Sequence, residues 1–179
     1  ETIEVIEVTS HYKVQSLYEV AASISHLSDE DLTNAQLGAV SELQFLIPGL
    51  ANGDFNLGQP QYYIRGIGSN ADAASAESSI SYYFNDIYHG RTATMNVPLF
   101  DIERVEVLKG PQGTLFGRNS AAGAVNIISK KADEETEGNI SLTLGRYNKR
   151  KIEGMYNFAL ADNLYLRSSV VHNKRDGYV

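Results

Sequence analysis

The sequence contains no cysteine and no tryptophan, and only four prolines among 179 residues. Without cysteine the chain can form no disulfide, no thiolate zinc site and no cysteine nucleophile. No run of about 18 apolar residues is present, so the sequence predicts no transmembrane helix. Basic residues are also few, because 15 Lys and Arg stand against 22 Asp and Glu, for a net charge of −7. This balance leaves no basic stripe for phosphates and argues against a nucleic acid partner.

Motifs that carry reaction chemistry are missing as well. The four histidines are scattered without the spacing of a metal-binding helix, and no G-x-S-x-G sequence occurs. The Gly110–Gly113 turn is not followed by the Gly-Lys-Ser/Thr of a phosphate-binding loop. The sequence therefore predicts that the protein is not an enzyme and that it holds no metal ion or cofactor.

The most informative segment is residues 101–131. A charged strand is predicted from Arg104 to Lys109, and it runs into the turn signal Gly110-Pro111. A stretch punctuated by glycines follows, and then a β-branched run from Ala124 to Ser129. Glycines at this density predict that backbone packs closely on backbone.

This segment closely resembles the second half of the plug domain of TonB-dependent outer-membrane receptors, which carries the pattern E-R-V-E-V-L-x-G-P-x-G-x-L-x-G-x-x-x-x-G-G-x-x-N. The signature residues that carry the resemblance here are Glu106, Gly110, Pro111, Gly113, Gly117, Gly123 and Asn126. We expect Gly113 and Gly123 to lie where the backbone turns or approaches another backbone. Ala122 replaces the first of two family glycines, which argues against a left-handed backbone at that position.

The N-terminal segment, residues 3–9, is short and β-branched, which predicts an extended strand. It is similar to the family's TonB box, an apolar and acidic stretch that pairs with the partner protein TonB by strand addition. The residues assigned to the box by this resemblance are Glu4, Val5, Ile6, Glu7, Val8 and Thr9. The alternative is an ordinary N-terminal strand.

The middle of the chain predicts short elements with clear ends. A strand over Ala21–Leu27 precedes Ser28, which is a helix N-cap followed by three acidic residues. A second helix presents Val40, Leu43 and Ile47 on one face, with Pro48-Gly49 after it. Two more strand patterns are a strand over residues 61–68 that ends in a Gly-x-Gly turn and a hairpin around Asn85-Asp86.

The resemblance places the outward loops of the plug at residues 65–79 and 88–95. Side chains in these loops that suit an anionic ferric chelate are Arg65, His89, Arg91, Thr94 and Met95. The alternative is that the two arginines only brace the plug. We expect the charges of the signature segment to form ion pairs with the barrel wall, and these are Glu103, Arg104, Glu106, Lys109 and Arg118.

The character of the chain changes at the acidic residues 132–138. Three segments of alternating polarity follow, and each is about ten residues long, as a strand tilted across an outer membrane is. Their apolar positions are Ile140, Leu142 and Leu144, then Ile152, Tyr156, Phe158 and Leu160, then Leu164 and Leu166. Alternation alone also fits a soluble meander with one wet face. Their place directly after the plug favours barrel strands, and three strands cannot close a barrel, which predicts that the chain is a fragment.

The predicted fold is an α+β plug domain, a small mixed β-sheet with short helices, followed by the first antiparallel strands of a transmembrane β-barrel. The predicted divisions are an N-terminal extension over 1–15, the plug over 16–131, a linker over 132–138 and three barrel strands over 139–179.

The resemblance implies a TonB-dependent transporter in the outer membrane of a Gram-negative bacterium. Its partners would be TonB on the periplasmic side, outer-membrane lipid, and a small-molecule substrate, most often a ferric siderophore, with cobalamin, haem and saccharides as alternatives. The competing interpretation is a soluble periplasmic interaction or signalling module that recognises a partner by β-strand addition. The apolar faces of residues 139–178 distinguish the two, since lipid-facing strands would leave them exposed.

Overall fold

A computed structural model describes residues 7–10, 13–16, 23–56, 59–68, 78–95 and 97–177. The chain divides between Ser129 and Lys130 into two compact units. Within the described residues, every helix is too short or too polar to cross a bilayer.

The described residues of the first unit form ten strands, two α-helices and two 3₁₀ helices. The strands are β1 (Glu7–Ser10), β2 (Lys13–Ser16), β3 (Ser23–Ser28), β4 (Leu50–Asn56), β5 (Gln59–Ile64), β6 (Ile67–Gly68), β7 (Ile80–Phe84), β8 (Ile87–Tyr88), β9 (Ile102–Lys109) and β10 (Gly123–Ser129). The helices are α1 (Asp29–Asn34), α2 (Gly113–Phe116) and the 3₁₀ helices Val40–Phe45 and Thr92–Met95.

The central sheet has five strands in the order β3-β9-β10-β7-β8. All neighbours are antiparallel except β10 and β7, which are parallel, so the sheet is mixed as predicted. The two strands of the signature segment, β9 and β10, lie next to each other near the middle of the sheet. A separate three-stranded sheet is formed by β4, β5 and β6.

The start of α1 follows from the sequence. The Ser28 hydroxyl accepts a hydrogen bond from the Asp31 amide at 3.2 Å, and the Asp31 carboxylate accepts one from the Ser28 amide at 2.9 Å. This is a reciprocal capping box. The Ser28 amide, at 2.9 Å, and the Ser28 hydroxyl, at 2.8 Å, both donate to the Asp31 carboxylate and lower the pKa of this carboxyl below its ordinary value. The predicted N-cap at Ser28 is therefore confirmed.

The predicted second helix is a 3₁₀ helix, Val40–Phe45. Its start is held by the Glu42 carboxylate, which accepts hydrogen bonds from the amides of Gly38 at 2.6 Å and Ala39 at 3.2 Å. Val40 and Leu43 are buried, and so is Ile47 beyond the helix end. The predicted apolar face is therefore correct, although the helix is tighter and shorter than an α-helix.

The hairpin predicted at Asn85-Asp86 joins β7 to β8. Both residues have positive φ, 47° and 64°, as a type I′ turn requires. The Asn85 side chain also holds the end of β10, because its Oδ1 accepts from the Ser129 amide and its Nδ2 donates to Ser129 Oγ, both at 2.9 Å. The turn therefore ties β7 to its parallel neighbour as well as to β8.

The strand predicted over residues 61–68 is instead a hairpin. The chain turns at Arg65 and Gly66, with φ of 53° and 78°, and Ile67 then pairs back onto Ile64. The preceding strand β4 was not predicted, because its Asn52-Gly53-Asp54 sequence has the composition of a turn. Pairing with β5 along nearly its full length overrides that local preference.

The larger core of the first unit lies on one face of the central sheet. Its fully buried members come from both sheets and from the 3₁₀ helices, and they include Val40, Leu43, Ile64, Ile80, Met95, Val105, Val107, Val125 and Ile127. A smaller cluster packs on the opposite face, and its buried members are Tyr83, Leu108, Phe116 and Ala124. Both faces of β9 and β10 are thus covered, and these strands are buried along most of their length.

The second unit is an antiparallel sheet of β11 (Glu137–Gly145), β12 (Lys149–Ala161) and β13 (Leu164–Lys174). One face of this sheet is apolar and exposed. Ile140 is 87% exposed, Leu144 is 70% exposed and Val170 is 63% exposed. The other large apolar residues exposed on this face are Leu142, Ile152, Tyr156, Leu160, Leu164 and Leu166. This is the arrangement expected of lipid-facing strands.

Candidate functional site

The turn between β5 and β6 places Arg65 at one end of the first unit. The Arg65 amide donates to the carbonyl oxygen of Gly49 at 2.7 Å, which fixes the turn. The Arg65 guanidinium donates to Ser23 Oγ at 2.9 Å, and the residue is exposed. Ser23 begins β3, so this hydrogen bond brings the small sheet to the end of the central sheet where β3 starts.

Lys109 lies at the same end and was not predicted as a ligand contact. It is directly opposite Ser23 in the register of β3 and β9. Its partial burial, and then the positive charge of Arg65, lower the pKa of the Lys109 ammonium below its ordinary value. Two cations that repel each other therefore share one edge of the unit, and an anion placed between them would relieve that repulsion.

The loop after β8 carries Arg91 toward this same end. Tyr88 pairs with Tyr83, and the His89 amide donates to the carbonyl oxygen of Tyr82 at 2.8 Å, so the chain runs back along β7 toward its start. The start of β7, at Ile80, is aligned through β10 with Lys109. The register thus directs Arg91, Arg65 and Lys109 to one end of the central sheet.

The loop itself is ordered by short hydrogen bonds. The Arg91 carbonyl oxygen accepts from the Thr94 amide at 3.0 Å and from Thr94 Oγ1 at 2.6 Å. Arg91 and Thr94 are both exposed, while the His89 ring lies edge-on to Phe84 with centroids 6.5 Å apart. Among the predicted contacts, Arg91 and Thr94 therefore offer polar groups to solvent.

Met95 does not. It is only 1% exposed and belongs to the larger core. The prediction that Met95 contacts a ligand is therefore wrong for this structure. The cause is that the 3₁₀ helix Thr92–Met95 turns the methionine inward, away from the side of the loop that faces solvent.

Three charged residues of the signature segment pair with one another in β9. Glu106 is fully buried, and its Oε1 accepts from Arg104 Nε at 2.8 Å, while Arg104 also pairs with Glu103. Glu106 therefore pairs within β9. Pairing of the segment's other charges with a barrel wall stays a prediction. His26 lies opposite Glu106 on β3, and burial lowers its pKa although the Glu106 charge acts in the other direction.

The two glycines expected to mark tight backbone differ. Gly123 has φ of +150°, and a Cβ built on it would lie 2.2 Å from the carbonyl oxygen of Leu108. A Cβ on Gly113 would meet nothing within 4 Å, so the close-approach alternative does not apply there. Gly113 instead begins the helix α2, where the chain turns after Pro111. Ala122 has no positive φ, as expected, and its amide donates to the carbonyl oxygen of Ser79 at 2.9 Å.

The part of the chain that the structure describes contains no cluster of potential metal ligands. Across those residues, no three His, Asp or Glu side chains gather in a way that could hold a metal ion. What the described residues of the first unit offer a ligand is a cationic and hydrogen-bonding edge.

Comparison with known proteins identifies the first unit. The sequence model described as the TonB-dependent Receptor Plug Domain matches residues 16–124, which is more than half of the chain. This chain belongs to the TonB-dependent receptor plug family. The resemblance carried by the signature segment is thereby confirmed, and the match extends from the N-terminal hairpin into β10.

Two curated relatives have names that indicate iron-regulated or iron-chelate proteins. The chain is 32% identical over 149 residues to an iron-regulated outer membrane virulence protein of Vibrio cholerae, covering 79% of this chain and 22% of that protein. It is 30% identical over 165 residues to the ferric enterobactin receptor of Pseudomonas aeruginosa, covering 85% of this chain and 22% of the relative. The chain thus spans about a fifth of the length of these relatives.

Solved structures show the same fold at lower identity. The ferripyoverdine receptor of the Pseudomonas aeruginosa outer membrane, bound to ferripyoverdine, superposes with a TM-score of 0.81 at 21% identity, over 94% of this chain and 22% of that one. The ferric yersiniabactin uptake receptor FyuA of Yersinia pestis gives a TM-score of 0.77 at 24% identity, over 84% and 24%. Because these superpositions extend past residue 129, the fold of the plug together with part of the following sheet is shared with receptor structures.

Proposed function

We propose that this plug domain and the strands that follow it belong to an outer-membrane receptor that imports a ferric chelate into a Gram-negative cell. The observation that carries the proposal is the order of the two units. A plug-family domain is followed directly by an antiparallel sheet whose apolar face is exposed. The sequence relatives named above support an iron chelate as the class of substrate.

The exposed sheet supports a membrane location over a soluble signalling module. Burying a large apolar side chain from water contributes about 1.5–3 kcal/mol, so a soluble domain would gain by covering nine such residues. In a bilayer the same side chains face hydrocarbon without that cost, while the alternate residues of each strand face a polar interior. The exposure of this face therefore favours lipid as its surroundings.

The proposed substrate edge consists of Arg65, Lys109 and Arg91, with Thr94 and His89 beside them. Siderophore complexes of ferric iron are commonly anionic, and guanidinium groups donate paired hydrogen bonds to carboxylate-like oxygens. Arg65 already donates to Ser23, so part of its role is to brace the turn. Arg91 is exposed in a loop that is ordered through its backbone, which leaves its guanidinium for a ligand.

Replacing Arg91 by alanine in the full-length receptor is expected to raise the dissociation constant of the ferric chelate about tenfold or more. The reason is that a hydrogen bond to a charged group contributes about 1.5–3 kcal/mol. Equilibrium binding of radiolabelled ferric siderophores to outer membranes measures the change. Lys131→Ala removes an exposed cation beyond the plug sheet and should leave the affinity unaltered. Equal affinity of wild type and Arg91→Ala would assign substrate capture to other parts of the receptor.

The N-terminal hairpin is the proposed contact for TonB. Glu7, Val8 and Thr9 lie in β1, which pairs only with β2 in a two-stranded sheet among the described strands, and residues 4–6 of the box lie outside the described residues. A two-stranded hairpin is marginally stable by itself, and each of its strands keeps one edge for another strand. Strand addition by TonB at this hairpin is therefore physically accessible.

Replacing Val8 by proline in the full-length receptor is expected to stop uptake of the ferric chelate while surface binding is retained. Proline has no amide hydrogen and interrupts a strand ladder, so pairing with TonB should be lost. Uptake of a panel of radiolabelled ferric siderophores by iron-starved cells tests the transport function itself, with haem and cobalamin as competitors. Val8→Thr, which keeps the amide and the β-branched shape, is the matched control. Normal uptake by the proline variant would rule out this hairpin as the coupling segment.

A further inference from the structure

Two cations lie side by side at one end of the apolar face of the second unit. Arg150 of β12 is directly opposite Lys174 of β13, and on its other side it is opposite Leu144 of β11. Residues directly opposite on neighbouring strands share a face of the sheet. The next row on that face is Leu142, Ile152 and His172. Arg150, Lys174 and His172 are thus grouped where the exposed apolar band ends.

These two cations lack the partners that cations on the opposite face have. On the opposite face Lys151 pairs with Glu153 at 2.6 Å, and Arg167 pairs with Glu137 at 2.7 Å. No acidic residue occupies the apolar face of β11, β12 or β13. Within the described chain, Arg150 donates to the neutral Asn148 side chain at 3.2 Å, and neither Arg150 nor Lys174 forms an ion pair. Like charges directly opposite each other destabilise a sheet unless an anion neutralises them.

The position of the pair along the strand matches a bilayer boundary. From Arg150 to Leu160 the strand β12 advances ten residues, or about 33 Å at about 3.3 Å per residue. At the usual barrel tilt this corresponds to about 25 Å along the membrane normal, the height of the apolar band of outer-membrane barrels. If Leu160 lies at one boundary of the hydrocarbon, Arg150 and Lys174 lie at the other, at the level of lipid head groups.

The same face also offers a place for an acyl chain. A shallow depression of about 470 Å³ lies over Gly154, where the missing side chain leaves a gap between Ile140 and Val170. Tyr156 and Ser168 line its far end. The depression begins about 13 Å along β12 from the cation pair, since Gly154 is four positions after Arg150 and a strand rises about 3.3 Å per residue. A lipid with its phosphate at the cations can therefore lay its acyl chain over Gly154.

We propose that Arg150 and Lys174 bind the phosphate group of an anionic membrane lipid, whose acyl chain packs in the depression over Gly154. The inference rests on the proposed function, because it requires the apolar face to be in a bilayer. Cations near a membrane surface each strengthen the attraction to anionic lipid by about 1 kcal/mol, or about fivefold. The pair would select phosphate-bearing anionic lipids over zwitterionic ones at this one site.

The test uses the full-length receptor, reconstituted into vesicles that contain equal amounts of phosphatidylglycerol and phosphatidylcholine. After extraction in mild detergent, native mass spectrometry counts the bound lipids of each kind. The test variant is Arg150→Gln with Lys174→Gln. The matched control is Lys149→Gln with Lys151→Gln, which removes the same charge from the opposite face of β12. Reaction of Lys174 with an acylating reagent is measured in parallel.

Wild type and control should retain phosphatidylglycerol preferentially, and the double test variant should lose about fivefold of that preference for each cation removed. Phosphatidylglycerol, and not inorganic phosphate at the same concentration, should protect Lys174 from acylation. Equal lipid preference in test variant and wild type would overturn the inference. Equal protection by inorganic phosphate would overturn it too, because the site would then take a free anion. Failure of the receptor to insert into vesicles would instead refute the proposed membrane function.

Discussion

Replacing Gly123 by alanine should remove most of the folded receptor from the outer membrane. The added Cβ would lie 2.2 Å from the Leu108 carbonyl oxygen and 2.9 Å from a methyl group of Ile64, and the glycine has φ of +150°. Backbone in this region is nearly restricted to glycine, and the strain alone costs about 1–3 kcal/mol. Gly123 cannot shift easily, because it is paired on both sides, with Lys109 of β9 and Ile80 of β7. We expect a total destabilisation of about 3 kcal/mol or more.

The measurement is the amount of trypsin-resistant full-length receptor in the outer-membrane fraction. Gly113→Ala is the matched control within the same signature segment. A Cβ at this position meets nothing within 4 Å, and Gly113 is the first residue of the helix α2. Alanine favours a helix over glycine by about 1 kcal/mol, so this variant should reach wild-type levels. Wild-type levels of Gly123→Ala would mean that β9 and β10 can separate without loss of the fold, contrary to the packing described above.

Replacing Arg104 by methionine is expected to destabilise the plug by about 3–5 kcal/mol. The Glu106 carboxylate would lose the guanidinium that neutralises it, and its side chain is only 1% exposed. Removing one partner of a buried pair leaves a charge without compensation, which costs more than the intact pair contributes. The denaturant midpoint for protease sensitivity of the plug, measured in the full-length receptor, reports this loss.

Two further variants separate the buried charge from other effects of the substitution. Glu103→Gln changes a carboxyl whose side chain is 41% exposed and which also pairs with Arg104, and it should shift the midpoint little, since exposed pairs contribute about 0–1 kcal/mol. Arg104→Met combined with Glu106→Leu should recover much of the stability, because apolar residues of similar size can replace a buried pair. A double variant as unstable as Arg104→Met alone would show that the arginine acts through packing.

Two residues of the proposed substrate edge were predicted from the sequence to lie in outward loops. Arg65 and Arg91 stand in polar, glycine-containing stretches, and both prove exposed. Lys109 was not predicted to lie near this edge. It ends the strand β9, and its neighbours in the sequence do not indicate that it lies close to Arg65, which is 44 positions away in the chain. Met95 was included wrongly because a loop pattern does not reveal which residue of a 3₁₀ turn faces the core. Sequence neighbours report exposure of a loop, and the packing of distant elements decides the direction of each side chain.

The sequence by itself determined the features that depend on neighbours along the chain. These are the capping box at Ser28, the type I′ turn at Asn85-Asp86, the spacing of the signature glycines and the alternation that gives β11–β13 one apolar face. Each of these features depends on a local pattern: the alternation of side chains along a strand, the residues of one helical turn, or a positive φ at a turn. A few adjacent residues therefore suffice to specify it.

Tertiary structure alone decided which residues that are distant in the sequence lie close together. It formed β4 from a turn-like sequence, buried Glu106 against Arg104, gathered Lys109 with Arg65, and placed Arg150 opposite Lys174. Strand register and burial depend on segments that are far apart in the chain. Their gains from apolar contact and hydrogen bonding across the sheet exceed the weak local preferences of single residues, which is why the sequence did not reveal them.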